Sequence, residues 1–156
     1  MKPLIVGQAP SRLSDPREPL SGRSGARLAA LCGLSLDAFV VLFERVNLLD
    51  YFPGKAGKGD LFPHEVARFS ACAMTPKLRQ RRTVLLGGKV AAAFHLHRRP
   101  LLEWFEEVGD GALVAVAPHP SGVSSWWNEP TNVVAARRFW RAFAKEAERG
   151  PARLRR

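Results

Sequence analysis

Short apolar runs alternate with helix-like segments along this chain, and that alternation constrains the fold more than any other feature. The runs cover residues 4–6, 46–49, 83–86 and 112–116. An unbroken apolar run of strand length is typical of a strand that is buried on both faces. A strand followed by a helix, four times over, predicts an α/β fold: a three-layer α/β/α sandwich with a central, mainly parallel sheet of about four strands.

The helices between these strands are predicted from their apolar spacing and from the residues that begin and end them. Ser24 is expected to cap the first helix and Gly33 to end it, while Ser35 begins the second. The predicted ranges are 25–32, 36–45, 63–74, 88–94 and 131–149. Residues 54–60 are predicted to form an exposed, basic loop. For the apolar patch at 101–105 the pattern leaves the secondary structure open.

The chain carries a large excess of positive charge for its size. Its 156 residues include 24 lysines and arginines against 14 aspartates and glutamates, a formal net charge of +10. This length predicts one domain over 1–150, followed by a basic C-terminal tail over 151–156. The charge favours a polyanionic partner, and nucleic acid is the leading candidate. The alternative is that the arginines merely keep a basic surface in solution.

The cysteines and the apolar stretches argue against several classes of protein. Cys32 and Cys72 both lie in apolar, helix-like surroundings, so two buried free thiols are expected. No CxxC pair occurs, and the histidines form no ligand-spaced cluster with the cysteines, so neither a metal nor a cofactor is expected. The N-terminal apolar run is too short for a signal peptide, and no stretch approaches membrane-spanning length. We therefore expect a cytoplasmic monomer with no membrane partner.

Three of the predicted strands end in residues that could carry chemistry. Residues 7–12 read Gly-Gln-Ala-Pro-Ser-Arg, Asn47 is an amide within an apolar run, and residues 119–124 read His-Pro-Ser-Gly-Val-Ser. Because parallel strands present their carboxyl ends at one edge of the sheet, these loops are expected to converge on one pocket. Prolines on both sides of His119 restrict its backbone, which suits a preorganised donor. For His119, the alternative is a plain turn in which the histidine is exposed to solvent. For Asn47, the alternative is that backbone groups satisfy its hydrogen bonds.

Two further glycine-containing stretches allow more than one interpretation. Residues 21–25, Ser-Gly-Arg-Ser-Gly, either bind an anion through backbone N–H groups and Arg23 or form a flexible loop. The run Gly87-Gly88-Lys89 lacks the four-residue spacing of a nucleotide-binding P-loop, so its glycines are interpreted as helix–strand packing. Neither stretch identifies a substrate by itself.

Taken together and in this order, the motifs resemble the uracil-DNA glycosylase superfamily over nearly the whole chain. They are Gly7-Gln8-Ala9-Pro10, Asp15, the segment Pro-Leu-Ser-Gly-Arg-Ser-Gly at 19–25, Asn47 and the loop at 119–124. The first motif lies between the Gly-Gln-Asp-Pro of one branch and the Gly-Glu-Ala-Pro of the iron-sulfur branch. The resemblance implies a monofunctional DNA glycosylase, which flips uracil or a related deaminated base out of DNA and hydrolyses its N-glycosidic bond.

The resemblance also implies roles for individual residues. His119 matches the histidine that donates to the base oxygen, Asn47 matches the amide that reads the base edge, and Gln8 completes the cradle through its backbone. Val123 falls at the position of the wedge that enters the base stack. The other base-binding positions would be Gly7, Ala9, Leu20 and Phe52. The flanking phosphates would be held by Ser21, Arg23, Ser24, Ser121, Gly122 and Ser124.

Several positions depart from the superfamily pattern. Ala9 replaces a water-activating aspartate, as in the iron-sulfur branch, and Asp15 is the nearest candidate for that role unless it is a solvated loop carboxylate. Leu20 replaces a phenylalanine that stacks on the base, a loss of about 1–3 kcal/mol for which Phe52 could compensate. Ser11 replaces a tyrosine that excludes the thymine methyl group. The four cluster-binding cysteines are missing from the sequence, so no iron-sulfur cluster is expected.

Two other functions stay open at this point. Ala9, Leu20 and Ser11 favour a non-catalytic nucleic-acid-binding module on the same fold. An enzyme that acts on free nucleotides or nucleosides, with Gly87-Gly88-Lys89 as its phosphate contact, is the third hypothesis. DNA containing uracil or a deaminated base is the partner expected for the first hypothesis.

Overall fold

A five-stranded sheet forms the middle layer of the computed structural model, which describes residues 1–107, 111–121 and 124–150. The strands of the chain are β1 (Leu4–Gly7), β2 (Glu44–Asn47), β3 (Lys55–Ala56), β4 (Gly59–Asp60), β5 (Arg82–Leu86), β6 (Trp104–Glu107) and β7 (Ala112–Ala117). The sheet has the order β2-β1-β5-β7-β6, with β6 antiparallel to β7 and the other neighbours parallel. The predicted mainly parallel sheet is confirmed, with five strands where about four were expected.

Helices cover both faces of this sheet. They are α1 (Arg23–Cys32), α2 (Leu36–Leu42), α3 (His64–Leu78), α4 (Gly88–Ala93) and α5 (Pro130–Glu148), and a 3-10 helix spans Ser125–Asn128. Successive strand residues point to opposite faces. Ile5 therefore packs into one core with α1, α2 and α5, whereas Leu4 and Val6 pack into a second core with α3 and α4. This confirms the three-layer α/β/α sandwich.

The ends of the first two helices follow the sequence signals in part. Gly33 ends α1 in the left-handed region at φ 76°, and Oγ of Ser35 accepts from the backbone N–H of Ala38 at the start of α2, both as predicted. Ser24 does not cap α1, because the helix already begins at Arg23. Within the described ranges no single helix is long and apolar enough to span a membrane; α1 and α2 meet the criteria only as a pair, across an 85° bend.

Four further local expectations were wrong. Helix α2 stops at Leu42 rather than residue 45, because the chain from Glu44 onwards pairs with β1. The loop predicted over 54–60 contains the antiparallel hairpin β3–β4. Helix α3 continues past the predicted end at residue 74, to Leu78. Cys72 is exposed on α3, whereas Cys32 is buried as expected, and burial raises the pKa of the Cys32 thiol to about 12.

Candidate active site

Two strands at the centre of the sheet supply the floor of the candidate site. β1 ends at Gly7, and its neighbour β5 is followed directly by Gly87. Asn47 ends β2 in register with Gly7, and the backbone N–H of Gly87 donates to the carbonyl of Ala117, two residues before His119. The strand ends that precede the suspected loops therefore lie at one edge of the sheet, as the sequence predicted.

The side chains of Asn47 and His119 each pack against one of these two glycines. A Cβ atom added to Gly7 would overlap Oδ1 of Asn47. A Cβ atom added to Gly87 would lie 3.1 Å from Cβ and 3.5 Å from Cδ2 of His119. Because β1 and β5 are paired, the amide of Asn47 and the imidazole of His119 pack against glycines at adjacent strand ends. A Cβ atom on Gly7 would overlap the Asn47 amide, and Gly87 has φ 90°, a backbone conformation that side chains rarely adopt, so both positions favour glycine.

The side-chain oxygen of Asn47 is a buried acceptor without a donor. Oδ1 has no hydrogen-bond partner among the residues that the structure describes. Leaving a buried acceptor unpaired costs about 1–3 kcal/mol. Cδ2 of Leu20 lies 3.5 Å from the same point above Gly7, so an apolar side chain borders the amide. This oxygen is therefore ready to accept an N–H from a bound ligand.

The hydrogen bonds of His119 determine which ring nitrogen carries the proton. The backbone N–H of Ser121 donates to Nδ1 of His119 over 3.1 Å, and Oγ of Ser121 lies 2.8 Å from the same nitrogen. A nitrogen that accepts from a backbone N–H has no proton of its own, so the neutral ring is protonated at Nε2. Burial lowers the pKa of His119, with the charge of Asp60 opposing this shift and that of Lys89 adding to it. At pH 7 the ring is a neutral N–H donor.

The loop that follows β7 is held by residues that sequence reasoning missed. Nε1 of Trp127 donates to the carbonyl of His119 over 2.8 Å, and Arg27 donates to the carbonyl of Pro120 over 3.0 Å. The Arg27 guanidinium lies 4.3 Å from the centre of the Trp127 ring. The only sequence signal was the Trp-Trp pair shortly after the loop, because nothing in the helical pattern of α1 distinguishes Arg27 from a solvated arginine.

The segment that carries Leu20 is also fixed by an arginine. Arg45, on β2, donates to the carbonyl of Pro19 over 2.7 Å, and burial lowers the pKa of this guanidinium. Leu20 adopts φ 56°, in the left-handed region that side chains rarely occupy. A Cβ atom on Gly25 would overlap the Leu20 carbonyl, so the glycine at the start of α1 admits this close approach. Backbone strain held in place by surrounding contacts is a feature of functional sites.

The residues predicted to hold phosphates lie on the two segments beside this floor. Oγ of Ser21 donates to the carbonyl of Glu18, and Oγ of Ser124 accepts from the backbone N–H of Trp126. Arg23 is exposed at the start of α1, and Ser24 is half-buried. Ser121 is the hydroxyl beside His119, whereas Gly122 and Val123 lie outside the described residues. The phosphate-binding roles stay predictions.

The other predicted site residues differ in their surroundings. Asp15 is exposed, and both of its carboxylate oxygens accept from Arg17, which lowers the pKa of Asp15. The carbonyl of Gln8 accepts from the backbone N–H of Leu49, which ties the β1 loop to the chain after β2. Ala9 is half-buried and packs against the second core, and Phe52 is half-buried. Their roles toward a base stay predictions too.

The structure gives little support to a phosphate site at Gly87-Gly88-Lys89. Gly87 faces His119 rather than open space, and Nζ of Lys89 donates to the backbone carbonyl of Asp60 over 3.3 Å. Lys89 also lies 5.8 Å from the centre of the Phe62 ring. Among the described residues no group of three or more His, Cys, Asp or Glu side chains could hold a metal ion.

Comparison with protein families identifies a superfamily for this chain. The model of the Uracil DNA glycosylase superfamily matches residues 1–144. The comparison with curated proteins finds no match. The matched range contains the glycine floor, Asn47, the Leu20 segment and the His119 loop.

Proposed function

Because this chain belongs to the uracil DNA glycosylase superfamily, we propose that it is a monofunctional DNA glycosylase that releases uracil, or a related deaminated base, and leaves an abasic site. One observation carries this proposal: a buried acceptor on Asn47 and a neutral donor on His119 each pack against a glycine at the ends of two neighbouring strands. The family supports DNA glycosylase chemistry, and the pair of side chains supports the choice of base.

His119 would stabilise the departing base. When the N-glycosidic bond breaks, its electron pair moves onto the base, the sugar becomes positive, and water adds to the sugar carbon and loses a proton. The Nε2–H of His119 is the group that would donate to the base oxygen on which negative charge collects. A ring that is already neutral can donate without first gaining a proton, so its lowered pKa suits this role.

Asn47 would select a base that carries an N–H group for its side-chain oxygen to accept. Uracil carries an N–H between its two carbonyl groups, where cytosine has a bare nitrogen. The unpaired Oδ1 of Asn47 would accept from this N–H of uracil, whereas cytosine would present a bare acceptor nitrogen at the same position. One well-aligned bidentate contact of this kind discriminates by about 1–3 kcal/mol. Hypoxanthine and xanthine also carry an N–H next to a carbonyl, which is why the proposal includes other deaminated bases.

The DNA would have to present its base outside the helix. A base stacked in a duplex cannot reach a floor between two side chains at a sheet edge, so the nucleotide must flip out. The net charge of +10 favours the phosphates on either side of it. The serines at 21, 24, 121 and 124 and Arg23 are proposed to hold those phosphates, with Val123 as the wedge.

Activation of the water would be the weaker part of this site. Ala9 offers no carboxylate, and Asp15 shares both oxygens with Arg17, which makes it a weak base. We therefore expect stabilisation of the leaving base, rather than a strong general base, to supply most of the rate. Asp15 stays the candidate for orienting the water.

Base release can be measured with a 5′-fluorescent oligonucleotide that contains a single uracil. The oligonucleotide is incubated with the protein and then heated in alkali, which cuts the strand at abasic sites. We expect one product, and we expect His119→Ala and Asn47→Ala each to lower the rate at least tenfold, about 1.4 kcal/mol of barrier. The matched controls are His97→Ala and Asn128→Ala, because both residues are exposed and lie outside the site.

The possible results of this assay test the proposed glycosylase activity and the roles of His119 and Asn47 separately. No product from uracil, hypoxanthine, xanthine or mismatched thymine would overturn the proposed activity. Product formation that is unchanged in both site variants would overturn the roles of His119 and Asn47 while leaving the activity in place.

A non-catalytic nucleic-acid-binding module is the second candidate function. It is favoured by Ala9 and Leu20, which replace a carboxylate and a stacking ring of the superfamily pattern. Binding that is strongly salt-dependent, indifferent to uracil and unaccompanied by base release would select this candidate.

A further inference from the structure

Two side chains hold successive carbonyl groups of the loop that carries His119. Trp127, in the 3-10 helix, donates from Nε1 to the His119 carbonyl over 2.8 Å. Arg27, on α1, donates to the Pro120 carbonyl over 3.0 Å. The guanidinium lies 4.3 Å from the centre of the Trp127 ring, so the two donors also brace each other.

Planarity of the peptide unit connects these contacts to the chemistry of the imidazole. The Pro120 carbonyl and the Ser121 N–H belong to one rigid peptide plane. Arg27 holds the oxygen of that plane, while its N–H points at Nδ1 of His119. If the plane rotates, the N–H leaves Nδ1, and the ring loses the contact that keeps its proton on Nε2.

Neither Gly87 nor the hydroxyl of Ser121 can replace the Ser121 N–H in keeping the ring proton on Nε2. Gly87 packs against Cβ and Cδ2 of His119 and so limits where the ring lies, but it offers no polar side chain. Oγ of Ser121 can either donate to Nδ1 or accept from it, so the hydroxyl tolerates both tautomers. Of the two described groups that contact Nδ1, the backbone N–H of Ser121 is the one that cannot accept and so enforces a single tautomer.

We propose that Arg27 and Trp127 are positioning residues, which fix the two peptide planes after His119 so that the ring keeps its proton on Nε2 and directs it toward the departing base. The catalytic consequence rests on the proposed function, whereas the effect on the imidazole does not. Both residues act through the loop rather than by touching the base.

Two conservative variants test the proposal. Arg27→Met keeps a long side chain but removes the donor, and Trp127→Phe keeps an aromatic ring but removes the Nε1–H. In single-turnover excision with enzyme in excess, we expect each variant to slow base release at least tenfold and to change DNA affinity less than twofold. Because the residues act on one loop, the double variant should be no more than twofold slower than the slower single variant.

Nitrogen NMR of the His119 ring gives a readout that loss of stability alone would not change. In the unaltered protein we expect Nδ1 to have the shift of an unprotonated nitrogen and Nε2 that of a protonated one. In both variants we expect the two shifts to move toward each other, as the tautomers interconvert. Arg27→Lys, which retains a donor, should restore the shifts more fully than Arg27→Met.

The controls use the same substitutions elsewhere in the described part of the chain. Arg138→Met changes an exposed arginine on α5, and Trp140→Phe changes a core tryptophan whose Nε1 has no hydrogen-bond partner there. Both should leave the His119 shifts and the rate unchanged, even if Trp140→Phe lowers the melting temperature. Excision rates and ring shifts of Arg27→Met and Trp127→Phe that match the unaltered protein would overturn the proposal. If the unaltered protein releases no base, the ring shifts alone decide it.

Discussion

Oδ1 of Asn47 lies so close to Gly7 that the Cβ atom of any side chain on Gly7 would overlap it. Gly7→Ala should therefore push the amide away from the floor of the site and slow base excision at least tenfold, about 1.4 kcal/mol of barrier. The single-uracil oligonucleotide assay measures this directly. Gly59→Ala is the control, because a Cβ atom there would meet nothing within 4 Å.

Combining Gly7→Ala with Asn47→Ala separates displacement of the amide from general damage. If the alanine methyl group acts only by displacing Asn47, the double variant should be no slower than Asn47→Ala alone. Additive losses would show that Gly7 contributes to activity in some other way, such as close approach of its backbone to the base.

Removal of the unpaired acceptor should make the protein more stable while making it less active. Asn47→Ala deletes a buried oxygen without a donor, and we expect the free energy of unfolding to rise by about 1 kcal/mol. Urea unfolding measures the change. Asn132→Ala is the contrasting variant, because its Nδ2 donates to the Trp126 carbonyl over 2.9 Å, and its loss should lower stability by about the same amount. Destabilisation by Asn47→Ala would mean that Oδ1 is satisfied in solution.

The sequence predicted the layers of the fold and the common edge at which the strands end because both follow from the chain's own pattern. Apolar runs such as 112–116 identify buried strands, and parallel strands place their carboxyl ends together. Asn47 stood out as an amide in an apolar run, and His119 as a fixed residue after a strand. That they pack against glycines at neighbouring strand ends follows from the strand order, which the alternation of strands and helices alone does not give.

The contacts that fix the loops could not be predicted from the sequence. Arg27 and Arg45 look like ordinary surface arginines until the fold brings them to the carbonyls of Pro120 and Pro19. β6 was missed because a partly buried edge strand lacks a continuous apolar run. Such features depend on distant partners rather than on local propensity.

Activity should be retained below the pH at which an ordinary histidine becomes charged. Burial lowers the pKa of His119 from its usual 6.5, so the neutral donor persists as the pH falls through that value. We expect the single-turnover rate to stay near its plateau as the pH falls through 6.5, where an ordinary histidine is half charged, and to fall only at lower pH. In the same range the unfolded chain binds more protons than the folded one, so stability falls as the pH drops below 6.5.

Two neighbouring charges provide opposite controls on this pKa. The carboxylate of Asp60 raises the pKa of His119 and the ammonium of Lys89 lowers it. Asp60→Asn should therefore move the midpoint of the His119 NMR titration to lower pH, and Lys89→Met should move it to higher pH. Shifts in the same direction for both variants would contradict the assignment of these charges.

Leu20→Phe should tighten the hold on the base by restoring a stacking ring. Leu20 borders Asn47 above Gly7 and has φ 56°. Phenylalanine at this position would have the same backbone strain, so strain does not affect the comparison between the two side chains. Stacking of a base on an aromatic ring contributes about 1–3 kcal/mol, so we expect affinity for uracil-containing DNA to rise about tenfold, measured by fluorescence anisotropy in the His119→Ala background. Leu13→Phe is the control, because Leu13 is 96% exposed on the same segment of the chain. An unchanged affinity in Leu20→Phe would place the base away from Leu20, and an equal gain in both variants would indicate contact with DNA outside the site.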